Sequence, residues 1–187
     1  MTRRGSFLCL LLGTILLAAA AALLLHNRRE VRQAQHDAEL LLAQAHAAMD
    51  TAASLSGTPE TQQPTEECFG TLSIPALERE LPVLACWSEA GLKKAPCRQQ
   101  GSPEEGGMVI AGHNYAAHFG GLSQLAPGDA VTLTAMDGTA YHYAVERVVQ
   151  TAADDTEAVL NAGEPLVLYT CTYGGEARIA VFCSSDP

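Results

Sequence analysis

Residues 126–150 read APGDAVTLTAMDGTAYHYAVERVVQ, two β-type runs on either side of an Asp137-Gly138 dipeptide. In the first, apolar Val131 and Leu133 alternate with Thr132 and Thr134. A period of two turns one face of a strand toward a core and the other toward water. Asp-Gly supplies the positive φ that a tight hairpin turn needs. The stretch is therefore predicted to be a β-hairpin. Outward from it the same texture recurs in FGTLSIPAL (69–77), LPVLACW (81–87), GGMVIAG (106–112), EPLVLYTCT (164–172) and ARIAVFC (177–183). Eight or so short strands over residues 68–187, with little helix between them, argue for a mostly β domain, a small barrel or sandwich. Around residues 84–107 and 150–165 the remaining segments read as surface loops or short helices.

The first third of the 187-residue chain is built differently. Residues 7–25, FLCLLLGTILLAAAAALLL, hold neither charge nor proline. Their length is close to the ~20 residues that cross a hydrocarbon core as a helix. It exceeds the roughly 7–15 residues of a cleaved signal's apolar region, so an uncleaved anchor is the reading, with a cleavage site in Ala18–Ala22 as the alternative. Charge leaves the orientation open, because Arg3 and Arg4 precede the span while Arg28, Arg29 and Arg32 follow it. Residues 30–50 are rich in helix formers, with Val31, Ala34, Ala38, Leu41, Leu42 and Ala45 at helical spacing. His36 and His46 on this helix read as solvent-facing. Residues 51–67, TAASLSGTPETQQPTEE, have a linker's composition. The organisation expected is a tip and span over 1–27, a juxtamembrane helix over 28–50, a linker over 51–67 and a β domain over 68–187.

Formal charge is −10, and residues 51–187 alone carry −11. An acidic domain without a basic stripe is a poor nucleic-acid binder. Six cysteines, at 9, 68, 86, 97, 171 and 183, include no C-x-x-C pair and fit no zinc module. Five of them lie beyond the span, so in an oxidising compartment at least one stays unpaired; Cys97 and Cys183 are candidates for a disulfide. Asp154, Asp155 and Glu157 form an acidic cluster that reads as a solvated loop, and no calcium motif is present.

Chemistry concentrates in residues 166–182, LVLYTCTYGGEARIAVF. A buried strand ends on Cys171, and Arg178 opens the next strand across Gly174-Gly175. The thiolate is the nucleophilic form of cysteine, and a neighbouring cation favours it. A guanidinium also suits a developing oxyanion. Two such residues alone fit a core cysteine beside a surface arginine better. A nucleophile of this kind needs a proton donor for its leaving group, most often histidine. His113 follows an apolar strand and a glycine, where a loop presents it; His118 lies five residues on; His142 sits between Tyr141 and Tyr143 on a strand. Position favours His113. A zinc site of His113, His118 and a cysteine has no recognisable spacing. The histidine precedes the cysteine by 58 residues, the reverse of the papain-like order.

With these motifs in place, residues 68–187 resemble a sortase, one of the membrane-anchored cysteine transpeptidases of Gram-positive bacteria. GTLSIPALERELPV (70–83) resembles the family's opening strands, and VIAGHN (109–114) its histidine motif. HFGGLSQLAPGDAVTL (118–133) resembles the segment that follows, and LVLYTC with Arg178 the cysteine strand and its partner arginine. The resemblance implies an eight-stranded β-barrel with short helices, preceded by a transmembrane helix. It implies that Cys171 is the nucleophile, His113 the general acid/base and Arg178 the oxyanion and substrate-binding group, with Thr170 and Asn114 in substrate binding. No cofactor or metal is implied. The partners implied are sorting-signal-bearing surface proteins or pilins of the L-P-x-T-G kind and an amine from a peptidoglycan precursor or a pilin lysine. The implied location is a single-pass anchor, N-terminus cytoplasmic and barrel outside. Val167 stands where the motif usually has threonine. The G-H-N triplet resembles class B, whereas the compact length and short Cys-to-Arg loop resemble class D. A cysteine endopeptidase on the same barrel and a non-enzymatic, membrane-tethered assembly module are the competing readings.

Overall fold

The computed structural model describes residues 2–54 and 68–186. They fall into two compact units, one ending at Gln33 and one beginning at Ala34. A single helix, α1 (Thr2–Ser54), carries the N-terminal sequence. By length and composition it can cross a membrane. It runs four residues into the stretch read as a linker; residues 55–67 of that stretch lie outside the described residues.

Eight strands follow: β1 (Cys68–Ile74), β2 (Arg79–Leu84), β3 (Cys97–Ser102), β4 (Gly106–Ala111), β5 (Ala130–Ala135), β6 (Ala140–Ala152), β7 (Leu166–Cys171) and β8 (Ala177–Ser185). They close into a barrel in the order β1-β2-β3-β4-β7-β8-β6-β5. Closure removes the free sheet edges that would otherwise template pairing with another chain. The hairpin read from residues 126–150 is β5–β6, paired from Ala130↔Ala144 to Thr134↔Ala140. Gly138 takes φ 86° in its turn, and Asp137 Oδ1 accepts from Thr139 N at 2.8 Å. β6 then runs on to pair with β8 from Tyr143 to Ala152. At the closing β1–β5 seam, a Cβ on Gly70 would collide with the carbonyl of Thr134.

Leu72, Ile74, Leu81, Val83, Met108, Ile110, Leu133, Leu166, Leu168 and Val181 fill the barrel. Each fully buried side chain of this size contributes about 1.5–3 kcal/mol. A second cluster on the outer face joins Val109, Ala111, Val167, Tyr169, Ala180 and Phe182. The short helix α3 (Thr156–Leu160) covers it with Val159 and Leu160. β7 is thus buried on both faces, which explains its unbroken apolar run.

Three findings differ from the sequence reading or add to it. β3, CRQQGS, lies in the region read as loop or helix. It has no apolar alternation because it is held by backbone pairing: two irregularities interrupt its ladder with β4, and a single parallel bridge, Leu84↔Cys97, joins it to β2. Cys97 and Cys183 are free thiols in separate clusters, Cys97 with Leu84 and Ala95, Cys183 inside the barrel. Burial pushes the Cys183 thiol up to about 12. Third, His46 is exposed but accounted for, with its Nε2 at 2.8 Å from Glu80 Oε1 on β2. An exposed pair of this kind is worth under about 1 kcal/mol. From Ala34 on, α1 buries Ala34, Ala38 and Ala45 and lays Leu41 on Leu84, Ala95 and Cys97.

Candidate active site

The site forms where β4, β7 and β8 end side by side. Antiparallel pairing of β7 and β8 sets Cys171 directly opposite Arg178. The turn between them is closed locally. Gly174 and Gly175 take φ 91° and 77°, where a side chain would be strained, and Thr172 Oγ1 accepts from Ala177 N at 3.0 Å. Arg178 Nη1 donates to Cys171 Sγ at 2.8 Å. Arginine does not lose its proton in proteins, so the sulfur has a permanent cation against it. Both residues are half-buried.

His113 arrives from the other side of β7. β4 runs parallel to β7 with Met108↔Leu166 through Ala111↔Tyr169, and Gly112 N continues the ladder to Tyr169 O at 3.0 Å. His113 lies two residues beyond Ala111, as Cys171 lies two beyond Tyr169, on the loop that leaves the end of β4. The loop carrying His113 is cinched by Phe119 N→His113 O at 3.1 Å, and by His118 N and Gly120 N, each 2.9 Å from Tyr115 O. Phe119 anchors it by plugging the barrel, wholly buried. A Cβ on Gly112 would approach the Phe119 ring to 2.6 Å, so glycine is required there by packing. Asn114 follows His113 on this loop and is half-buried.

Strand alternation sorts the remaining residues. Cys171 shares the outer face of β7 with Val167 and Tyr169, and Arg178 shares that face of β8 with Ala180 and Phe182. Thr170 falls on the opposite face, 3% exposed, its hydroxyl buried without a partner. Any contact it makes with a ligand beside Cys171 therefore runs through its backbone. Tyr169, two residues before the cysteine on the same face, was overlooked in the sequence; its hydroxyl donates to Gln99 Oε1 on β3. Burial, only partly offset by Arg178, holds its hydroxyl above the usual tyrosine range. The period-two pattern of β7 was the available signal.

The two histidines of the loop separate sharply. His118 is 1% exposed, and neither ring nitrogen has a hydrogen-bond partner. Burial lowers it to about 4, with His113 adding to the effect while the nearby backbone of Ala34 and Lys94 opposes it. A ring so enclosed cannot meet a substrate. His113 is half-buried at the mouth of the site. His142 is exposed on β6, its Nδ1 3.3 Å from Thr132 Oγ1, on a strand separated from β7 by β8.

Comparison with known proteins identifies the family. A sortase domain model matches residues 72–186. The chain is 30% identical over 112 residues to sortase A of Bacillus anthracis, covering 57% of this chain and 53% of that protein. It thus spans about half the length of that curated relative. Among solved structures, a Clostridium perfringens sortase D5 transpeptidase superposes with a TM-score of 0.64 at 18% identity, over 81% of this chain and 99% of that one. Sortase C of Streptococcus pneumoniae gives 0.58 at 24% identity, over 79% and 89%. At these identities the structural likeness speaks for the fold, and the sequence match for descent. The chain belongs to the sortase family, whose members are cysteine transpeptidases.

Proposed function

We propose that this chain is a sortase transpeptidase that works through Cys171, His113 and Arg178. The observation that carries the reading is the Arg178 Nη1 donation to Cys171 Sγ at 2.8 Å at the end of β7, with His113 on the loop that leaves its parallel neighbour β4. In the first step the Cys171 sulfur attacks the threonyl carbonyl of an L-P-x-T-G-like motif. Arg178 holds the oxyanion of the tetrahedral intermediate. As that intermediate collapses, the Thr–Gly bond breaks, protonated His113 delivers its proton to the glycine amine, and a thioester to Cys171 remains. An incoming amine then attacks the thioester, gives its proton to neutral His113 and leaves with the acyl group, regenerating the Cys171 thiolate and protonated His113. Asn114 and the Thr170 backbone are placed in substrate binding.

The acceptor is a cell-wall precursor amine or a pilin lysine, and the donors are sorting-signal-bearing surface proteins or pilins. Sortases as a family act on such proteins, and an N-terminal apolar helix in a sortase is consistent with membrane anchoring. For this chain the reading is one pass, with the tip that precedes the span of residues 7–25 inside and the domain of 68–187 outside. The test uses the full chain in detergent micelles and a Cys171→Ala control, incubated with an L-P-x-T-G peptide with and without triglycine. Mass spectrometry should find an acyl adduct on Cys171 that passes to the amine. An adduct released only to water would make the protein an endopeptidase. Neither adduct nor cleavage across a varied motif library would replace the reading with a binding or assembly module.

A further inference from the structure

His118 is a wholly buried side chain that the mechanism above does not use. A wholly buried imidazole whose ring nitrogens have only the backbone of Ala34 and Lys94 near them calls for an explanation. Its surroundings supply one. The Tyr115 ring lies between the two histidines, its centroid 4.9 Å from that of His113 and 5.5 Å from that of His118. On the far side, the backbone of Ala34 on α1 and of Lys94 adjoins the His118 ring. The next residue, Phe119, is fixed in the barrel. The charged groups facing His118 are His113 on its own loop and Glu78 and Arg79, which line with it a cavity of ≈ 340 Å³.

We propose that His118 is a positioning residue: its neutral ring, enclosed beneath the Ala34 turn of α1, backs Tyr115 and through it sets the orientation of His113 beside Cys171. The proposal rests on the functional reading of His113 given above. It makes the Ala34 turn of α1 part of the support of the active site, because its backbone adjoins the His118 ring behind the acid/base loop. The neutral state matters in two ways. A charged ring would not stay enclosed, and a second positive charge behind Tyr115 would oppose protonation of His113, the form that donates to the leaving amine.

The test compares wild type, His118→Ala and His118→Phe as full chains in micelles. Two quantities are read: the titration midpoint of the His113 imidazole by NMR, and kcat and KM for peptide transfer per alkylatable Cys171. His118→Ala removes the backing ring, so kcat should fall on the order of tenfold with KM little changed, and the His113 midpoint should move by about half a unit or more. His118→Phe restores a ring and should recover both. If His118→Ala lowers only the melting temperature, with the His113 midpoint and kcat unmoved, the role is structural and the proposal is wrong. Failure of Phe to rescue a well-folded protein also overturns it. Should His118→Ala not fold, Tyr115→Leu interrupts the same stack and must move the His113 midpoint. If wild type transfers no peptide at all, the functional reading fails, and the NMR titration still decides whether His118 positions His113.

Discussion

Replacing His118 by phenylalanine should flatten the acid limb of the protein's stability curve. Free histidine titrates near 6.5, whereas His118 in the fold is held at about 4 by burial. Between those values the unfolded chain takes up a proton that the folded chain refuses. The native state therefore loses stability as pH falls from about 6.5 toward 4, and below about 4 this contribution levels off. The gap of about 2.5 units corresponds to about 3 kcal/mol at 1.36 kcal/mol per unit. That is a large share of the ~5–15 kcal/mol that holds a typical domain together. Urea unfolding in micelles, followed by the fluorescence of Trp87, would be run at pH 7 and pH 4.5 on wild type and His118→Phe. Groups common to both proteins cancel in the difference between the two pH dependences. Wild type should lose about 2–3 kcal/mol more than the variant over that interval. Equal losses would refute the reasoning, since they would mean that His118 is protonated as readily in the fold as out of it.

Two further outcomes follow from the geometry. Arg178→Lys keeps the charge but gives up the planar fork that reaches Cys171 Sγ at 2.8 Å, so acyl transfer should drop on the order of a hundredfold while the melting temperature holds; single-turnover acylation kinetics would check it. Gly112→Ala drives a Cβ to 2.6 Å from the Phe119 ring, which should cost about 1–3 kcal/mol and displace His113, read by denaturation and by the same peptide assay.

Much of this protein is local and was open to reading from the chain. The β5–β6 hairpin needs only alternating Val131, Leu133 and their polar neighbours, plus a glycine able to take φ 86° at Gly138. Cys171 and Arg178 likewise meet across six intervening residues, because a short turn sets the register of the strands it joins. The apolar face of α1 from Ala34 to Ala45 follows from helical spacing. Side-chain period and turn chemistry act over a few residues, so sequence alone determined the strands other than β3, the helix and the turn that joins Cys171 to Arg178.

Other features depend on contacts between segments far apart in the chain. β3 has no apolar signature, since its place is secured by backbone bonds to strands whose position only the closed barrel defines. The proposal of His113 over His118 draws on the parallel β4–β7 ladder, which joins residues 58 apart and ends two residues short of both His113 and Cys171. The same closure turns His118 inward, beneath a helix more than 70 residues earlier in the chain. Composition and spacing named both histidines as candidates. Only the packing of the loop between barrel and helix separated them, because burial is a property of the whole fold and no short stretch of sequence carries it.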